Sequence, residues 1–207
     1  MKLPSTSARC EHRPPDKYET LDDLFAQAKH YAEWSLREKG SVWPALFILS
    51  LDDRPAFFAW SHDFGDEQSK DAFRDLCRCF CMAHAATAAV LALETWVSCH
   101  NVKPGAKREL PKGAPMPSED PDRREVITLL GETTGHQAQM QIVPIVRSDN
   151  RKFFGLGPAD KMDGYMADGR FTPLLTPKLP DVHMRELAKL ALAAQGIKVA
   201  GVVDTRL

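Results

Sequence analysis

Three cysteines and a histidine fall within the stretch DLCRCFCMAHA, between Cys77 and His84. Thiolate and imidazole are zinc ligands, and a thiolate is also a nucleophile and a redox group. On a helix, Cys77, Cys81 and His84 share one face at spacings of four and three, while Cys79 points away. The helix thus offers three convergent ligands at most, and a structural zinc site closes with four. The fourth would have to come from Cys99, His100 or His62. The C-x-C-x-C spacing is not the redox C-x-x-C, and a mid-helix thiol lacks the N-terminal dipole that lowers its pKa. The competing reading is packing. Phe73, Leu76, Cys77, Phe80, His84 and Thr87 trace one apolar stripe, and free cysteine behaves as a small buried hydrophobe. The ligand count favours packing, with Cys77 and His84 facing the core and no metal bound.

A second group is His62 and Asp63 in WSHDFGDE, just after an expected strand. Together with His84 they could serve acid–base or metal chemistry. Asp63 or Asp66 could equally cap the helix that follows, and capping is the commoner use. A third group is SEDPDRRE, where Asp120, Asp122, Arg123 and Arg124 could hold an ion or a phosphate-bearing ligand. Such a run more often forms turns whose Asp side chains bond the local backbone. Glu94 interrupts the apolar run AVLALETWV. Alternation groups it with Ala92 and Trp96, so it is expected to face solvent or the sheet rim. No phosphate loop, dinucleotide fingerprint, nucleophile elbow or metalloprotease helix motif occurs.

These residues need elements to carry them. TLDDLFAQAKHYAEWSLREKG reads as a helix with Thr20 as cap and Gly40 as stop. VWPALFILSL and AFFAW flank the turn DDRP and predict a hairpin, with Pro44 making the first strand irregular at its start. A second helix is expected over about Asp66 to Ala86, then a strand through Glu94. Residues 101–123, rich in Pro, Gly and charge, predict a long loop. REVITLLGE and QAQMQIVPIVR predict a second hairpin, with RKFFGL adding a short strand. Residues 155–180 read as loop. Their Met162, Tyr165, Met166, Phe171, Leu174 and Leu175 are too apolar for a free linker, which predicts a strap pressed onto the core. VHMRELAKLALAAQG predicts a last helix, capped by Asp181 and stopped by Gly196. Its stripe of Val182, Leu187, Leu190, Ala191 and Ala194 is expected to dock on the sheet or on a second copy. IKVAGVV could form a final strand.

The expected fold class is therefore α+β. A mostly antiparallel sheet of about five strands, two hairpins joined by a helical crossover, is covered by helices. Residues 1–17 are expected to be a flexible arm, and 18–207 one domain with the strap and helix of 155–207 as its C-terminal extension. The first part of this order resembles the roadblock and profilin-like folds in element order only.

The chain has 207 residues, 43% of them hydrophobic, and a net charge of −1. That is enough apolar surface for a core without staples. The balanced charge disfavours nucleic-acid binding through Lys103, Lys107, Arg108 and Lys112. The longest apolar run is too short to span a bilayer, and the first residues carry no signal-type apolar segment. Five cysteines, three of them crowded together, are unlike a disulfide framework and point to a reducing cytoplasm. No recognisable set of acid, base, nucleophile and anion site converges. The leading expectation is a non-enzymatic binding or regulatory module, able to self-associate, with a protein or small-molecule partner and no cofactor. The alternative is a metal-dependent hydrolase using His62, Asp63 and His84, or a metal held by Cys77, Cys81, His84 and His100.

Overall fold

The computed structural model describes residues 11–12, 14–51, 55–60, 64–98, 119–135, 138–162 and 171–197. The elements are α1 (Leu21–Lys39), β1 (Ala45–Ser50), β2 (Pro55–Ala59), α2 (Glu67–Ala83), β3 (Ala86–Val97), β4 (Arg124–Thr133), β5 (Gln139–Arg147), β6 (Phe153–Leu156), β7 (Asp160–Met162) and α3 (Val182–Ala194). The fold is α+β, as expected. The sheet has seven strands rather than about five, in the order β2-β1-β3-β4-β5-β6, with β7 also on β5.

Every pairing is antiparallel. Because β2 and β3 both flank β1, they run parallel to each other, and α2 is the crossover between them. Of the two strands beyond five, β6 falls on RKFFGL, read as a short strand, and β7 lies in the stretch read as loop. Along the outer side of β5, β7 pairs with Met140 to Ile142 and β6 with Ile145 to Arg147. Between them lies Pro144, which has no N–H to donate. Its carbonyl accepts from Gly157 N at 2.8 Å, so two three- to four-residue strands replace one long edge strand.

Helices cover both faces. Ala45, Phe47, Leu49, Ala88, Val90, Ala92, Ile127, Leu129 and Val143 point toward α1. Leu46, Ile48, Ala89, Leu91, Leu93 and Leu130 point toward α2 and α3. This two-sided burial explains why β1 reads as the unbroken apolar run ALFIL. At Gly131 the side chains of Phe25 and Leu21 from α1 pack directly on the strand backbone. A Cβ there would lie 2.4 Å from Cζ of Phe25.

The capping residues behave as their chemistry dictates. Thr20 and Asp23 form a capping box on α1, and Gly40 closes it at φ 79°. Asp66 caps α2 through Ser69 N, and Asp181 caps α3 through Met184 N. α2 ends at Ala83, three residues earlier than expected. Ala85 then takes a left-handed φ of 47° to turn the chain into β3.

α1 is buried on more than its apolar stripe, because the preceding segment lies against its other side. Tyr18 donates its hydroxyl to Gln27 at 2.7 Å, and the N–H groups of Glu11 and His12 reach Glu33 at 2.8 and 2.7 Å. At the other end of the chain, Leu174 and Leu175 are buried in the α2-side core and Phe171 packs against it. Tyr165 and Met166, and residues 198–207 with most of the expected last strand, lie outside the described residues.

Candidate functional site

The cysteine helix resolves into packing. Cys77 and Cys81 are buried in the α2-side core with Phe73 and Phe80, and Cys79 is half-buried. Burial pushes the Cys77 and Cys81 thiols well above their ordinary value, so neither is a ready thiolate. His84 is the C-terminal cap of α2, with its ring 4.5 Å from that of Phe80. Burial, then Lys189 and Arg185 of α3, lower its pKa. Among the described residues no group of three His, Cys, Asp or Glu side chains could hold a metal ion. His62, Asp63, Cys99 and His100 lie outside the described residues, as do Lys103, Lys107, Arg108 and Lys112.

The SEDPDRRE residues form a turn at the head of β4. Asp120 is buried, and its Oδ1 accepts from Asp122 N at 2.9 Å while its carbonyl accepts from Arg123 N at 3.2 Å. Arg123 stacks on the half-exposed ring of Trp96, 4.6 Å from its centroid, and Arg124 opens the strand in solvent. Asp120 and Asp122 thus share one turn, while the two arginines go to a ring and to water.

The polar chemistry that the fold assembles lies elsewhere. Glu94 points to the α1 face at the rim of the sheet, where the end of α1 no longer covers it. It is half-buried there rather than facing open solvent. Its Oε2 accepts from Val42 N at 2.6 Å. It lies near Glu125, whose charge acts on it and whose two oxygens accept from Arg147 Nε and Nη2. Burial raises the Glu94 pKa, partly opposed by the Val42 N–H. The Arg147 fork lowers that of Glu125 against its burial. Two carboxyls with diverging pKa values are a pattern of acid–base sites. Here, however, both Glu125 oxygens and Oε2 of Glu94 are already occupied by protein donors, so the group ties β3, β4 and β5 to the segment after α1.

Arg147 also borders a cleft of about 400 Å³ at the C-terminal end of α1. Arg37 lies over Phe153 there, 5.2 Å from the ring centroid, and is paired to Glu33 at 2.7 Å. Both guanidiniums are thus committed to carboxylates.

On the opposite face, Glu132 is buried with Oε2 accepting from Leu174 N at 2.8 Å and Leu175 N at 3.1 Å. Burial raises its pKa and the two N–H groups only partly offset this. Arg78 Nε donates to Pro173 O at 2.9 Å on the same segment. This is how the strap is held.

α3 departs most from expectation. It docks on α2 through Ala188 and Leu192, both buried. The wider stripe, expected to dock on the sheet or on a second copy, does not reach the sheet and faces outward, with Val182 72%, Leu187 53% and Leu190 66% exposed and Ala191 and Ala194 exposed beside them. Ala188 and Leu192, four residues apart, form the face that α3 turns to α2, and the exposed residues lie on the remaining faces of the helix.

No sequence signal marks Glu125, Glu132 or Arg147, because each depends on a partner brought in by strand pairing. No helix among the described residues is long and apolar enough to cross a membrane. Comparison of the chain with protein-family models, with curated proteins and with solved structures finds no match.

Proposed function

We propose that the protein is a non-enzymatic binding module that self-associates through α3. The observation that carries this reading is the outward apolar face of α3, formed by Leu187, Leu190, Ala191 and Ala194. Contiguous exposed apolar surface is costly in water and marks interaction sites. A second copy of the chain is the occupant this face fits. Its rim carries Glu186 and Lys189, paired at 2.8 Å, so both charge signs flank the same stripe. A twofold pairing presents the same patch on both sides, and a rim of mixed sign is self-complementary. A net charge of −1 leaves little repulsion between copies. The stripe is one short helix face, far below the roughly 800 Å² per partner of a standard interface, so the dimer is weak and concentration-dependent. The occupation of both oxygens of Glu33 and of Glu125 by protein donors supports the non-enzymatic part.

Sedimentation velocity over a range of concentrations tests the proposal. A reversible monomer–dimer equilibrium is expected for the natural chain. A Leu187→Glu, Leu190→Glu variant should stay monomeric with an unchanged circular dichroism spectrum, because both side chains are exposed. A natural chain that remains monomeric at every concentration overturns the reading.

A further inference from the structure

A second, smaller cleft of about 240 Å³ lies on the opposite sheet face from α3, between the flank of α1 and the β5–β7 edge. Asp22, Ala26 and Lys29 come from one side of the helix at spacings of four and three. Gln141 and Lys161 come from directly opposed positions on β5 and β7, so both side chains leave the sheet on the α1 side. The cleft therefore gathers two ammonium groups against one carboxylate. Neither lysine has an ion pair within 4 Å among the described residues. Burial lowers the Lys29 pKa, and the charge of Lys161 lowers it further, with Asp22 opposing. The two cations are near enough to repel, and an anion between them would relieve that repulsion.

Gln141 adds a second requirement. It is 4% exposed, and its Oε1 is buried without a hydrogen-bond partner. An unsatisfied buried acceptor of this kind asks for a donor, and a site that leaves it empty is paying a desolvation penalty. Neither lysine supplies the donor at hydrogen-bond distance. A ligand that satisfies the whole cleft must then be small, anionic toward the lysines, and hold at least one O–H for Gln141.

We propose that this cleft is a binding site for a small oxyanion that retains a hydroxyl, of the hydrogen-phosphate or hydroxylated phosphate-ester class, held by Lys29 and Lys161 and read by Gln141. Phosphate oxygens accept from the two ammoniums in charge-assisted bonds. The O–H of the ligand donates to Oε1. Sulfate has the same shape and charge but no O–H at neutral pH, so it separates simple ion pairing from recognition by Gln141. The site does not involve α3, and the oligomeric state and this site can fail independently.

Titration of the full chain with inorganic phosphate, sulfate and glycerol 3-phosphate, followed by backbone amide shifts, is the test. Saturable shifts are expected for phosphate around residues 22–29, 140–142 and 160–161, with sulfate weaker by roughly tenfold, as for loss of one buried hydrogen bond. Tighter binding of glycerol 3-phosphate than of phosphate identifies an ester as the ligand, and the reverse identifies the free ion. Lys161→Gln, at an exposed position, should weaken phosphate roughly tenfold or more with the fold intact. Gln141→Met should abolish the preference over sulfate. Absence of saturable phosphate binding in the millimolar range, equal binding of sulfate by the natural chain, or shifts confined to other parts of the sheet overturns the proposal.

Discussion

His12 gives both its backbone N–H and its ring Nδ1 to one oxygen of Glu33, at 2.7 and 2.9 Å, from 21 residues earlier in the chain. The other oxygen takes the N–H of Glu11 and the guanidinium of Arg37. Glu33 is fully enclosed in the middle of α1, so the carboxylate is a pin between the helix and the segment that precedes it. Burial works against its ionisation, but the N–H donors, Arg37 and the His12 ring outweigh that and lower its pKa.

Glu33→Ala should therefore cost about 2–4 kcal/mol at neutral pH, from the unpaired buried donors it leaves. The sign of the pH effect follows from the lowered pKa. The stabilisation is present above the ordinary carboxylate value of about 4.3 and is lost as pH falls through the lower folded value. Urea melts at neutral and acid pH would check both points. A Glu33→Gln variant with the same acid sensitivity as the natural protein would contradict the second.

Glu132 has the opposite linkage. Its pKa is raised, chiefly by burial, and only Oε2 is satisfied, by Leu174 and Leu175. Its contribution is fully present below the unfolded pKa and is lost as pH rises through the folded one. Glu132→Gln keeps an acceptor and removes the charge, so it should be neutral or stabilising above pH 7. Glu132→Ala should cost about 2–4 kcal/mol, because two buried N–H groups lose their acceptor. Hydrogen exchange at the Leu174 and Leu175 amides is the direct readout, with faster exchange expected only in the alanine variant.

Gly131→Ala places a methyl 2.4 and 2.8 Å from two atoms of the Phe25 ring. Overpacking of this kind should destabilise by roughly 1–3 kcal/mol. A Phe25→Leu change should cost less in the Gly131→Ala background than alone, and a double-mutant cycle measures the difference. Strict additivity would mean that α1 shifts away without contact.

The thiols should differ in reactivity. Of Cys77, Cys79 and Cys81, Cys79 alone is half-exposed, while burial holds the other two far from ionisation. Brief alkylation of the native chain, mapped by mass spectrometry, should modify Cys79 first. Cys77→Asp should cost about 3–5 kcal/mol by burying an unpaired charge. Equal labelling of Cys77 and Cys79 would place the helix in the wrong rotation.

Short-range chemistry was legible in the sequence. Thr20, Asp181 and the glycines at 40 and 196 act through bonds spanning a few residues, so their spacing suffices to identify them. The apolar runs of β1 and of the two hairpins specified the strands, and the crowded cysteines fell on the buried stripe of α2. Which face each element buries was decided only by tertiary packing. Alternation places Glu94 beside Ala92 and Trp96, but it cannot say that α1 covers that face as far as Ala92 and then ends. The periodicity of α3 holds two apolar faces, and docking on α2 covered the smaller one, Ala188 and Leu192. The pairs Glu33–His12, Glu125–Arg147 and Gln141–Lys161 span about twenty residues each, and every one exists because a helix or a strand register brings its ends together. A local pattern carries no record of such closures, since their free energy comes from the core around them and not from the residues that meet.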